Sequence, residues 1–344
     1  MTAVTPDTWS QFREVWKPCN VNFASVLAHL QVTTMSESSQ STAKLTDFKV
    51  LAFDVYGTLA DWETGIYLGL KPMLNRYAES SQWSRKQALE AYSAVESVLQ
   101  AKYPHLLYAD LLSKVHELME ERLRAASGLP VKTSTGDGDP SYIPDSSGAS
   151  TSNQAEPSRN DEHAIFGQSI RDWPIFPDSH AALHALSEHY KLVVLSNVDR
   201  QSFAHTLAKL SEGPSSEFSP DTYAPPDLED RWYPKSNPKS KSPFTLILTA
   251  QDVQSYKPAL RGFEVALDDI HQDPALRHTP KHEVLWVAQS QFHDLEPVSR
   301  LGVKSVFIDR QGATMGFSIS TPPYSWRFET LGAMADAVTK EFKQ

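Results

Sequence analysis

The stretch Val50-Leu51-Ala52-Phe53-Asp54-Val55-Tyr56-Gly57-Thr58-Leu59-Ala60-Asp61 decides the fold. A β-branched and aromatic run ends in a carboxylate, and Gly57 then turns the chain. This places Asp54 at the C-terminal lip of a buried strand, the edge along which open α/β sheets bind their ligands. A carboxylate there can act as a nucleophile when a neighbour neutralises the charge gathering around it. The same pattern also suits a plain strand end with Asp and Gly as turn residues. Three later segments favour the first reading, because each ends a predicted strand in polar residues.

Those segments are Leu192-Val193-Val194-Leu195-Ser196-Asn197, then Ser255-Tyr256-Lys257-Pro258, then Val284-Leu285-Trp286-Val287-Ala288-Gln289 running on to Asp294. They supply a hydroxyl with an amide, a lysine opening a helix, and a second carboxylate. Thr58, Ser196 and Asn197 would offer donors to the Asp54 carboxylate or to a substrate anion, although each alone also suits a capping or turn role. Lys257 precedes Pro258, and Pro favours a first helical turn. An ammonium fixed there can pair with Asp54 and stabilise developing negative charge. Asp294 in Gln289-Ser290-Gln291-Phe292-His293-Asp294 equally suits an N-cap for the helix that follows. One His without a spaced partner makes no metal site, so His293 stays outside the expected chemistry.

Taken together, the motif around Asp54 and these three segments resemble the haloacid dehalogenase superfamily, over residues 48 to 312. Tyr56 stands where most branches carry a second Asp, so the chain looks like the L-2-haloacid dehalogenase branch. The resemblance implies that Asp54 forms an ester that water hydrolyses. It implies that Lys257 supports the nucleophile, and that Asp294 orients Lys257 or helps activate the water. Tyr56, Thr58, Ser196, Asn197, Gln289 and Gln291 become the expected substrate-binding set. The expected substrate is a small, carboxylate-bearing molecule, with no cofactor.

Two departures pull apart. Phosphatases of this superfamily protonate the leaving group with the Asp that Tyr56 replaces, and a phenol of pKa about 10 is a poor substitute. Gln289 also stands where a further acidic Mg²⁺ ligand is expected, and hard cations prefer carboxylates. Against dehalogenation, Gln289 and Gln291 replace a Ser-x-Asn pair, and no halide-binding cap arginine falls in register. Tyr92 falls nearest that place, and Arg85 is the closest arginine. The alternatives are a divergent Mg-dependent small-molecule phosphatase, with Asp54 and Asp294 as ligands, and a non-catalytic binding protein on the same fold.

Around these motifs, alternating strands (191–196, 245–249, 284–288, 303–308) and helices (near 178–190, 201–210, 258–269, 294–301) predict an α/β fold, a Rossmann-like parallel sheet. Asp178 is the expected N-cap of the first of these helices. Residues 48–61 and 165–344 form that core, and 62–130 read as an inserted α-helical cap subdomain with apolar faces on Leu68, Leu70, Met73, Leu74 and Tyr77, then on Leu111, Leu112, Val115, Leu118, Met119 and Leu123. Such a cap would close over Asp54 and exclude water. Residues 1–47 read as a poorly ordered extension, 131–164 as a low-complexity linker and 211–243 as a Pro-rich insertion.

At 344 residues and 40% hydrophobic content the chain can bury one large core plus a smaller subdomain. Lys+Arg of 32 against Asp+Glu of 42 gives a net charge of −10, which disfavours nonspecific nucleic-acid binding. Cys19 is the single cysteine, which rules out an intramolecular disulfide and a thiolate metal cage. No apolar run reaches membrane-spanning length, and no secretory signal pattern opens the chain, so a cytoplasmic protein is expected. Its expected partners are a small-molecule substrate and, by resemblance only, a second copy through the cap.

Overall fold

In the computed structural model, residues 43–129, 159–214, 220–317 and 324–344 are described. Six parallel strands form one sheet in the order β3-β2-β1-β4-β5-β6. They are β1 (Val50–Phe53), β2 (Lys191–Ser196), β3 (Leu246–Thr249), β4 (Val284–Ala288), β5 (Lys304–Ile308) and β6 (Trp326–Phe328). Strands β1, β3 and β4 are buried at every residue, as their unbroken apolar runs require for a sheet covered on both faces. Strand β1 lies between β2 and β4 in register, so the strand order reverses around it. Crevices at such reversals are where these sheets seat ligands.

Besides two short helices (Ala250–Val253 and Glu296–Arg300), the helices among the described residues are α1 (Trp62–Leu74), α2 (Arg85–Lys102), α3 (Tyr108–Ala126), α4 (Arg159–Gly167), α5 (Ser179–Ser187), α6 (Arg200–Glu212), α7 (Leu260–Gln272) and α8 (Leu331–Phe342). Helices α1 to α4 form the cap. Asp61 caps α1 by accepting the Thr64 N–H at 3.0 Å, and Ser84 opens α2 in a reciprocal capping box with Gln87. Their inner faces, among them Ile66, Leu70, Tyr92, Val95, Leu111 and Met119, are fully buried. Gly65 lets α1 approach the core, since a Cβ there would overlap the Trp173 ring.

Several boundaries differ from the sequence reading. Residues 45–47 belong to the core rather than the extension: Leu45 is buried and its carbonyl accepts the Tyr190 hydroxyl at 3.1 Å. The rest of that extension (1–42) lies outside the described residues. So do residues 131–158 of the linker, whereas 159–164 open α4, the cap helix packed on α3. Of the Pro-rich insertion, 215–219 lie outside the described residues, but Tyr223 and Trp232 are buried and Trp232 bridges to β3 at Ile247. Arg200 fastens it, donating to the carbonyls of Pro226, Asp227 and Asp230 and pairing with Asp252 at 2.8 Å. Strand β6, which closes the β5 edge of the sheet, and α8, which packs on α5, were unread in the sequence.

Asp178 holds the N-cap position of α5, as expected, but its side chain makes no capping bond there. Its carboxylate instead joins Arg310 at 2.7 Å to the Gly332 N–H of α8 at 3.0 Å. Pro258 lies outside the helix it was expected to open, which begins at Leu260.

Candidate active site

Asp54 leaves the end of β1, with its N–H donating to the Val287 carbonyl of β4 at 3.1 Å. Gly57 turns the chain at φ +102°, a conformation that favours glycine, and a Cβ there would crowd the Gln289 side chain. The turn brings Thr58 back to Asp54. The Thr58 hydroxyl donates to Asp54 Oδ2 at 2.6 Å and accepts the Gln289 backbone N–H at 2.8 Å, linking β1 to the end of β4. Arg310, after β5, holds this turn by donating twice to the Thr58 carbonyl, at 3.0 and 2.8 Å.

The Lys257 ammonium lies between the two carboxylates, 2.9 Å from Asp54 Oδ1 and 2.7 Å from Asp294 Oδ1. Asn197 fixes the lysine backbone from both sides, accepting its N–H at 2.7 Å and donating to its carbonyl at 3.2 Å. Burial works against the Lys257 charge, but Asp294 and Asp54 more than offset it and hold the pKa above its ordinary value. Asp294 is fully buried in an irregular turn after β4 whose N-cap is Ser290, so the N-cap reading of Asp294 does not hold. Its Oδ1 also accepts the Trp286 indole N–H at 3.2 Å, while its Oδ2 is buried without a hydrogen-bond partner. Burial pushes the Asp294 carboxyl up to about 7, against the pull of Lys257.

A cavity of about 260 Å³ opens over these groups. Of the expected residues, Asp54, Tyr56, Asn197, Lys257, Gln289 and Asp294 line it. Thr58 sits behind Asp54 as a positioning group. Ser196 does not reach the cavity; its hydroxyl is buried without a partner. Gln291 is buried outside the lining, its backbone N–H tied to Gly316 at 2.8 Å. The Tyr56 hydroxyl pairs with Thr206 at 2.9 Å, and burial raises its pKa, so it is a poorer acid than a free phenol.

Sequence reasoning missed much of the wall. Trp62 and Trp173 line it, as do His293 and the 315–317 loop. His293, excluded earlier, is pushed down to about 4 by burial and faces the cavity neutral at pH 7. From the cap, Ser93, Glu96, Ser97 and Gln100 line one polar stripe of α2 at the i, i+3, i+4, i+7 spacing of a single helix face. That spacing was a usable signal. Arg85 points elsewhere, to Asp61, Glu63 and Thr64.

The phosphatase alternative needs Asp54 and Asp294 to hold Mg²⁺. The residues present do not fit that ion, because the Lys257 ammonium already bridges the two carboxylates and the next lining groups, Gln289 and Ser290, are neutral.

No family model matches this sequence, and no curated protein does. Solved structures do. A defluorinating L-2-haloacid dehalogenase is similar at TM-score 0.52 and 15% identity, over 85% of this chain and 95% of that one. Another L-2-haloacid dehalogenase is similar at TM-score 0.51 and 17% identity, over 85% and 99%. The putative hydrolase YfnB of Bacillus subtilis, bound to magnesium, is similar at TM-score 0.51 and 10% identity, over 85% and 99%. This chain has the haloacid dehalogenase fold. Within that fold the cap, the sheet and the reversal at β1 correspond to the expected α/β architecture. No helix among the described residues is long and apolar enough to cross a membrane.

Proposed function

We propose that this chain is a hydrolase that works through an ester on Asp54, without a metal ion. The observation carrying this reading is the Lys257 ammonium held between Asp54 and Asp294 beneath a capped cavity. Asp54 attacks an electrophilic carbon of a small substrate. An oxygen–carbon bond forms as the bond to the leaving group breaks, and the leaving group departs with the electron pair. Water then adds to the carboxyl carbon of the ester and the product alcohol leaves. The Lys257 ammonium and the Thr58 hydroxyl stabilise the oxygen that gains charge. Asp294 accepts the water's proton when ionised, and its raised pKa suits a base working near neutrality.

The test is a single turnover in H₂¹⁸O over a panel of activated halides and phosphate esters, with and without a chelator. Halide release that survives chelation and leaves ¹⁸O in Asp54 supports this reading. Asp54→Asn should lower the rate at least a thousandfold. Phosphate release that needs Mg²⁺ and leaves Asp54 unlabelled overturns it. The carboxylate-bearing substrate expected from the sequence is not part of the proposal, because the cavity wall offers it no free cation among the described residues.

A further inference from the structure

The cap wall of the cavity carries a carboxyl group that the chemistry at Asp54 does not use. Glu96 stands in the polar stripe of α2, half-buried and lining the cavity. One of its oxygens, Oε1, accepts both the Tyr92 hydroxyl at 3.0 Å and the Tyr108 hydroxyl at 2.6 Å. Two stiff aromatic donors from α2 and α3 therefore fix the carboxyl plane. The other oxygen, Oε2, has no partner among the described residues. A surface glutamate of no function would not need two buried tyrosines to aim it.

Its charge has no counterpart in the cavity. Lys257 is committed to Asp54 and Asp294, His293 is neutral at pH 7, and no arginine lines the wall among the described residues. A substrate carboxylate or phosphate seated against the cap would meet Glu96 with nothing to offset the repulsion. A cation would meet the open Oε2 in a cavity whose wall also carries the rings of Trp62, Tyr108 and Trp173. Burial raises the Glu96 carboxyl above its ordinary value, the two tyrosine donors only partly opposing it, and a bound cation would add to their side and favour the ionised form.

We propose that Glu96 makes the cap end of this cavity a receptor for an ammonium or similar N–H donor, so that the substrates are small amines bearing the electrophilic centre. This rests on the reading of the cavity as the substrate pocket of the Asp54 hydrolase. The amine end would bind at the cap while the reacting carbon faces Asp54, and an anionic analogue would be rejected.

Calorimetric titration of phenethylammonium, 2-phenylethanol and 3-phenylpropionate tests it without turnover. The wild-type protein should bind the ammonium at least tenfold tighter than the alcohol or the carboxylate. Asp54→Asn should keep that order, and Glu96→Gln should compress the three affinities to within about threefold. A carboxylate that binds as tightly as the ammonium, no detectable ammonium binding, or a preference that survives Glu96→Gln overturns the proposal. The wild-type and Asp54→Asn comparisons stand even if Glu96→Gln fails to fold. The result is separable from the ¹⁸O experiment: an amine-selective cavity with unlabelled Asp54 would sink only the ester mechanism, and labelled Asp54 with carboxylate preference would sink only the role of Glu96.

Discussion

Lys257 is the residue on which the electrostatics of the site turn. Its side chain is 3% exposed and touches two carboxylates, so Lys257→Met would leave both without a counter-charge. Removing one member of a buried ionic group costs about 3–5 kcal/mol. Urea unfolding of Lys257→Met should show a loss of that order, partly recovered by adding Asp294→Asn. Asp294 itself gives a signed prediction. Its folded pKa, about 7, lies above the ordinary carboxylate value, so its protonated form is the one the fold favours. The associated stability is fully present below the unfolded pKa of about 3.9 and is lost as pH rises through the folded value. The stability difference between wild type and Asp294→Asn, measured from pH 4 to 8, should therefore drift against wild type as pH rises. Turnover should do the opposite, rising through an acid limb near pH 7 as Asp294 ionises, and the limb should vanish in Asp294→Asn. At this scale the meeting of Asp54, Lys257 and Asp294 was legible, because the order of their motifs along the chain resembles that of a known family. Ser196 was misread: adjacent residues at a strand end diverge, and Asn197, not Ser196, meets the cavity.

At the level of elements, the contact between α1 and the core sets the shape of the pocket. Gly65→Ala would drive a methyl group into Trp173, whose ring lines the cavity. Overpacking of this kind costs about 1–3 kcal/mol. Thermal unfolding should report it, and KM should rise because Trp173 moves. A flat stability with unchanged KM would show that α1 yields instead. Core strands β2 and β4 were readable to the residue, since a continuous apolar run bounded by polar residues has one natural reading in an α/β chain. β6 escaped because Trp-Arg-Phe at a half-exposed edge carries no buried pattern. Helix α8 did carry one, with Leu331, Met334, Ala335 and Val338 buried on a single face, and it was passed over because the motifs end before it. The stripe on α2 was overlooked for the converse reason: attention to apolar spacing hides a polar face that points inward.

For the molecule as a whole, the Pro-rich segment is held by other elements of the fold, with Arg200 gathering its carbonyls and with its own Tyr223 and Trp232 buried. Arg200 is 3% exposed and donates to three carbonyls of that segment as well as to Asp252. Arg200→Met should leave those carbonyls unpaired, and limited proteolysis should then cut between 220 and 243 several-fold faster than in wild type. Equal cutting rates would mean that the burial of Tyr223 and Trp232 suffices. Composition suggested a surface loop here, because counting prolines cannot reveal an arginine that gathers carbonyls from elsewhere in the chain.

Apart from the nearby Thr58, what arms Asp54 comes from far along the chain: Lys257 lies 203 residues away, and the Thr58 turn that orients the carboxylate is held by Gln289 and Arg310, 231 and 252 residues further on. A chain emerging from the ribosome thus presents Asp54 early, as an ordinary solvated acid. On the proposed mechanism its reactivity would arrive only once residues 257 to 310 have been made and seated, so a product cut short before Lys257 would carry an unarmed carboxylate.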